Sequence, residues 1–167
     1  MNRPKLGMPY LLRKIRRVRW DPQLKAELQG CADDDCPSDC LVDLKTADCA
    51  LSLWHVEDDK SNLNDVAVAL ATNCDNVDHL DYALVAREEV EAIGLLQPSK
   101  GATAHRAANE QWHWNLVNLT ARRVAHLAYI LFRSAERVRV SKKEMVILIR
   151  DALIKQKLDR DKLKFGV

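Results

Sequence analysis

The sequence holds only five glycines in 167 residues, and each stands alone. Phosphate-cradling loops of the P-loop and dinucleotide-binding kinds need several glycines at short fixed offsets, so both are excluded. Proline is equally scarce, and that scarcity argues against a low-complexity or disordered chain. No stretch approaches the roughly 18 consecutive apolar residues of a membrane-spanning helix. The first twenty residues, MNRPKLGMPYLLRKIRRVRW, lack the apolar core of a secretory signal. Together these absences lead to the expectation of a cytoplasmic protein without a membrane span. No Ser–His–Asp or Cys–His set stands out, which leans away from an enzyme, and no small-molecule site is identifiable.

Hydrophobic residues make up 47% of the chain and charged residues 30%, the balance of an ordinary globular protein. The length suits one domain over residues 1–167, large enough to bury a core without staples. The net charge of +2 hides a segregation: residues 1–20 carry +7, residues 21–60 carry −8, residues 61–100 carry −5 and residues 101–167 carry +8. Two readings follow. Either the basic ends fold onto the acidic middle and their fields cancel, or a basic face is left for nucleic acid or an acidic partner.

The hydrophobic pattern predicts a mixed α+β fold rich in helix, with a small sheet in the front half and a helical back half over residues 101–167. Leu11, Leu12, Ile15 and Val18 fit helical spacing and predict a basic amphipathic N-terminal element within residues 1–20, ended by Asp21-Pro22. ALSLWHV, with Leu51, Leu53 and His55 on one face, reads as a strand, NLNDVAVALATN as a helix and LDYALV as a second strand. That strand–helix–strand unit is compatible with a parallel pair. Residues 104–119 read as one helix, and a stripe through Val124, Leu127, Leu131, Ala135 and Val138 as the next, capped by Thr120. Ser141 and Glu144 form a capping box ahead of the last helix.

Four cysteines, Cys31, Cys36, Cys40 and Cys49, fall within CADDDCPSDC and the residues after it. Their type suits a structural zinc site, although the spacing is irregular. The competing reading is an acidic loop of free thiols, as expected for five cysteines in a reducing compartment. Calcium is disfavoured because the segment lacks the glycine and terminal glutamate of an EF-hand loop. In QWHWN, Trp112 and Trp114 flank His113. Neighbouring helical residues point about 100° apart, so one indole is assigned to the core and the other to a seam or contact surface.

Arg106 and His113 give an R-x6-H spacing on the same predicted helix. This resembles the R-x4–6-H signature of HEPN-type ribonucleases, helical proteins that dimerise to pair two such motifs. The resemblance implies a histidine acting as acid or base and an arginine stabilising phosphate charge. The alternative has Arg106 on the surface and His113 in a tryptophan-flanked interface. Arg16, Arg17, Arg122 and Arg123 are the basic candidates for binding phosphate. The leading expectation is a non-enzymatic binding protein that recognises a protein partner or assembles with itself. A nucleic-acid-binding regulator is the second and a HEPN-like nuclease the third.

Overall fold

The computed structural model describes residues 9–165. Six strands form one sheet in the order β4-β5-β2-β1-β3-β6, and every neighbouring pair is antiparallel. They are β1 (Tyr10–Lys14), β2 (Leu51–Val56), β3 (Leu80–Ala86), β4 (Leu95–Pro98), β5 (His113–Val117) and β6 (Glu136–Val140). The α-helices are α1 (Pro22–Ala26), α2 (Leu63–Thr72), α3 (Arg87–Glu91), α4 (Ala121–Ser134) and α5 (Lys142–Ile154). Tighter 3-10 segments run over Arg17–Trp20, Ser38–Leu44 and Arg160–Lys162, and Ala108–Trp112 forms a π-helical turn.

Both faces of the sheet are covered. One face buries Leu11, Leu51, Leu53, Ala83 and Val85 against α4, α3 and the 3-10 segments that hold Trp20, Cys40 and Leu44. The opposite face buries Leu12, Trp54, Val56, Tyr82 and Leu84 against α2, α5 and the π-helical turn. The alternation of strand side chains sends neighbours such as Leu11 and Leu12 into different cores. A sheet covered on both faces needs strands that are apolar at consecutive positions, and β3 is buried at six consecutive residues.

This architecture corrects the helix-rich expectation, because the sheet organises both halves of the chain. LLRKIRRVRW does not begin as an amphipathic helix. Its first residues form β1, and Leu11 and Leu12 are both completely buried, one in each of the two cores on opposite faces of the sheet, which a helix with one apolar stripe does not allow. The back half contributes two strands rather than helix alone. Residues 104–119 are not one helix: the π-helical turn stops at Trp112 and β5 begins at His113. The α4 stripe likewise ends before Val138, which lies in the edge strand β6. The strands flanking α2 are also not a pair, since β1 lies between β2 and β3 and is antiparallel to each. Parallel direction is therefore kept between β2 and β3 without any hydrogen bonding between them.

Local chemistry explains several element ends. The Asp21 carboxylate accepts from the Gln23 amide and caps α1, with Pro22 at the first helical position. The Thr120 hydroxyl caps α4 by accepting from the Arg123 amide. Ser141 and Glu144 form the full reciprocal capping box at the start of α5. None of the helices among the described residues is long and apolar enough to cross a membrane.

Candidate functional site

The arginine-rich stretch after β1 folds into a turn held by two carboxylates. Asp43, on the Ser38–Leu44 segment, has a side chain only 8% exposed. Its Oδ2 accepts from the Arg16 amide at 2.8 Å and from the Trp20 indole at 2.8 Å, and its Oδ1 accepts from Arg19 Nη1 at 2.7 Å. The Asp43 carbonyl oxygen also accepts from Arg13 Nε at 3.0 Å and Nη2 at 2.7 Å. Burial holds the Arg13 guanidinium below its ordinary pKa, with Asp43 opposing. Arg13 and Arg19 are therefore structural cations.

Asp81, the second residue of β3, grips the turn from the other side. It is 5% exposed, and its Oδ2 accepts from the Arg17 amide at 3.1 Å. Arg139 on β6 approaches it in a two-pronged pair, Nε to Oδ1 at 2.7 Å and Nη2 to Oδ2 at 2.9 Å. The hydrogen bonds from Arg139 hold the Asp81 carboxyl below the usual carboxylate range, with the Arg17 amide helping and burial opposing. Consecutive amides, those of Arg16 and Arg17, are thus fixed by different buried carboxylates. The guanidinium groups of the same residues are exposed and have no carboxylate partner among the described residues.

These residues border a cleft of about 610 Å³ lined by Lys14, Arg16, Arg17, Cys74, His79, Asp81 and Arg139. An adjoining cleft of about 560 Å³ shares Arg17, Val18 and Arg139 and adds Arg137. Within this groove Arg139 is neutralised by Asp81. Lys14 Nζ lies 3.0 Å from Cys74 Sγ, and Arg137 Nη1 donates to the Phe132 carbonyl at 2.7 Å, and among the described residues neither is paired with a carboxylate. Lys14, Arg16 and Arg17 line the first cleft together with the exposed acids Asp75 and Asp78, and Arg17 and Arg137 line the second.

The other sequence candidates lie elsewhere. Arg122 and Arg123 line a separate cleft with His126 and Tyr129, and Arg123 donates to the Asn118 carbonyl at 2.8 Å. Trp112 is half-buried beside His105, with ring centroids 6.1 Å apart. Trp114 lies on the opposite face of the sheet under the Arg87 guanidinium, 4.5 Å from the ring centroid. Neither indole is bare. Arg106 is exposed, and His113 sits on β5 with its ring edge-on to Trp54 at 4.8 Å. Burial lowers the His113 pKa. The shared helix that motivated the ribonuclease resemblance is absent, since no element carries both Arg106 and His113.

All five cysteines are free, and Cys31, Cys36, Cys40 and Cys49 are not gathered into a metal site. Among the described residues no group of three or more His, Cys, Asp or Glu side chains is placed to hold a metal ion. A polar cluster that the sequence concealed joins Asp65, His105 and Lys157. Lys157 Nζ meets both Asp65 oxygens at 2.8 and 2.7 Å, and His105 Nε2 lies 3.3 Å from Oδ1. His105 Nδ1 accepts from the Ala108 amide at 3.2 Å, so both ring nitrogens have a partner and the cluster ties α2 to the segments that carry His105 and Lys157.

Sequence reasoning found Arg16 and Arg17, counted Arg137 on a basic helix face rather than on β6, and missed Asp43, Asp81 and Arg139. The signal for the arginine pair was the alternation in ERVRV, which puts Arg137 and Arg139 on one face of a strand. Asp43 was marked by its place inside the apolar run LVDL. The chain matches no protein-family description, no curated protein and no solved structure.

Proposed function

We propose that the protein binds nucleic acid through the phosphate backbone, around the arginine turn where two adjoining clefts meet, one lined by Lys14, Arg16 and Arg17 and the other by Arg17 and Arg137. One observation carries this reading. The backbone at Arg16 and Arg17 is pinned by Asp43 and Asp81 while both guanidinium groups face solvent. A turn already ordered in the free protein presents its charge at little further entropic cost on binding. Phosphate contacts of this kind position a strand without reading its sequence. Trp20 is fully buried beneath the groove, so bases find no exposed indole on which to stack, and sequence-tolerant backbone binding is favoured.

Fluorescence anisotropy with labelled single-stranded RNA and duplex DNA of arbitrary sequence tests the proposal. Four phosphate contacts predict an affinity loss of about a hundredfold between roughly 50 and 200 mM salt. Absent or salt-insensitive binding to both probes rules the reading out.

A second reading, association with a protein partner or a second copy, is favoured by the outer face of α5. Ile147 is 51% exposed and Ile154 is 79% exposed, two helical turns apart and flanked by Lys143 and Arg150. Sedimentation over a range of concentrations tests self-association. A monomer throughout, unchanged by Ile154→Glu, removes the self-assembling form of this reading.

A further inference from the structure

The sheet has two outer edges, and they differ. β4 is four residues long and ends on Pro98, which has no N–H to offer, so that edge is blunted. β6 reads ERVRV, five residues without proline or glycine. It pairs with β3 along its whole length, from Leu84↔Glu136 to Leu80↔Val140. Among the described residues no strand and no backbone hydrogen bond meets its other side. An antiparallel strand turns the N–H and C=O of every second residue away from its one partner, so β6 carries a row of unmatched donors and acceptors.

The two faces of this edge differ in chemistry. Arg137 and Arg139 stand opposite Ala83 and Asp81, and Ala83 belongs to the core that holds Trp20. Val138 stands opposite Tyr82 and, with Val140, packs half-buried against the other core. Most of the charges guarding the edge are already paired. Glu136 Oε2 accepts from Lys60 Nζ at 2.8 Å, and both prongs of Arg139 reach Asp81. Arg137 is the exception. It meets the Phe132 carbonyl and no carboxylate among the described residues, and it lines the 560 Å³ cleft with Arg17 and Val18, the latter 70% exposed.

We infer that β6 accepts a further strand from an acidic, extended peptide segment of a protein partner. The peptide backbone pairs with the open edge, its carboxylates lie beside Arg137, and its alternate β-branched side chains lie beside Val138 and Val140. Main-chain pairing supplies affinity, and the alternation of side chains supplies selectivity. A second copy of this chain does not fit the same edge. Antiparallel pairing of two β6 strands about Val138 sets Arg137 of each chain directly opposite Arg139 of the other, and like charges so placed destabilise a ladder. The inference goes beyond phosphate binding, which uses arginine side chains and leaves the edge backbone idle.

The test titrates the full chain with a fluorescent, end-blocked peptide of alternating glutamate and valine, long enough to span the five residues of β6. The peptide should bind, and amide exchange should slow within Glu136–Val140 but not within Leu95–Pro98. Two N-methylated versions, one at the glutamate amides and one at the valine amides, separate strand addition from charge attraction. One of them should bind at least about tenfold more weakly and the other should bind as the parent does, because only one set of amides faces β6. Arg137→Glu should weaken the parent peptide by at least about tenfold and admit an alternating lysine–valine peptide instead. That variant also strips the Phe132 carbonyl of its donor, so the methylated peptides on the wild-type chain decide without it. Absent binding, equal binding by both methylated peptides and the parent, or exchange protection that falls on β4 overturns the inference. If generic RNA binds and the peptide does not, the phosphate reading stands and this one falls.

Discussion

Removing the Asp43 carboxylate strips the Arg16 amide, the Trp20 indole and the Arg19 guanidinium of their acceptor at once. Removing one buried acceptor shared by several donors leaves each donor unsatisfied, and breaking a buried charged pair costs about 3–5 kcal/mol. Asp43→Ala should therefore lower the urea-unfolding free energy by about that amount, and Asp43→Asn by less, because the amide oxygen keeps part of the acceptor. Asp81 makes a pH prediction. Its hydrogen bonds with Arg139 depress its folded pKa, so the stability it contributes is full above the unfolded carboxylate value of about 4 and is lost as pH falls through the lower folded value. Asp65 behaves alike: burial raises its pKa, but the hydrogen bonds from Lys157 and His105 together lower it further. In that acid window the unfolded chain binds more protons than the folded one, so stability rises with pH. Denaturant titrations between pH 2 and pH 5 should show a shallower slope for Asp81→Asn than for wild type; equal slopes would show that Asp81 contributes no linkage.

Elements with both an interior pattern and an end signal are legible in the sequence. For α5, Ser141 and Glu144 mark the start and Met145, Ile149 and Ala152 the buried face. The sequence of β1 was not legible, because Leu11 and Leu12 enter opposite cores and consecutive burial mimics part of a helical stripe. The boundary between α4 and β6 was hidden for another reason. No glycine or proline separates Ser134 from Glu136, and the chain changes direction at Ala135 by backbone dihedrals alone. β5 was concealed by a loop whose closure depends on one small residue. A side chain at Gly101 would place its Cβ 2.6 Å from Asn109 Oδ1 and 3.0 Å from the Trp54 ring. Asn109 is not free to retreat, since it accepts from the Thr103 amide and hydroxyl and donates to the Thr103 carbonyl at 2.7 Å. Gly101→Ala should destabilise the protein by about 1–3 kcal/mol, the usual cost of overpacking. Hydrogen exchange should then rise first in residues 99–112; an unchanged exchange pattern there would mean that the loop repacks freely.

Across the whole molecule the segregated charge of the sequence becomes mutual attraction. Arg19 meets Asp43, Arg139 meets Asp81, Lys157 meets Asp65, Lys164 meets Asp75 and Arg133 meets Glu89, each joining a basic end of the chain to its acidic middle. The candidate site was half legible for this reason. Charge counting finds every arginine, but only the fold separates those bound to a carboxylate from those left over. Arg16 and Arg17 are left over, and their side chains hold nothing together, so the variant Arg16→Ala/Arg17→Ala should unfold within about 0.5 kcal/mol of wild type. Its binding to generic RNA should weaken, and the slope of log affinity against log salt should shrink by about 2 if each arginine neutralises one phosphate. Arg139→Ala should do the reverse on stability, because it leaves the Asp81 carboxylate buried without its bidentate partner. If the double variant keeps the full salt slope, the groove at the arginine turn is not where the phosphates lie. If it instead loses stability as Arg139→Ala does, the two guanidinium groups are part of the scaffold and the division between structural and binding arginines fails.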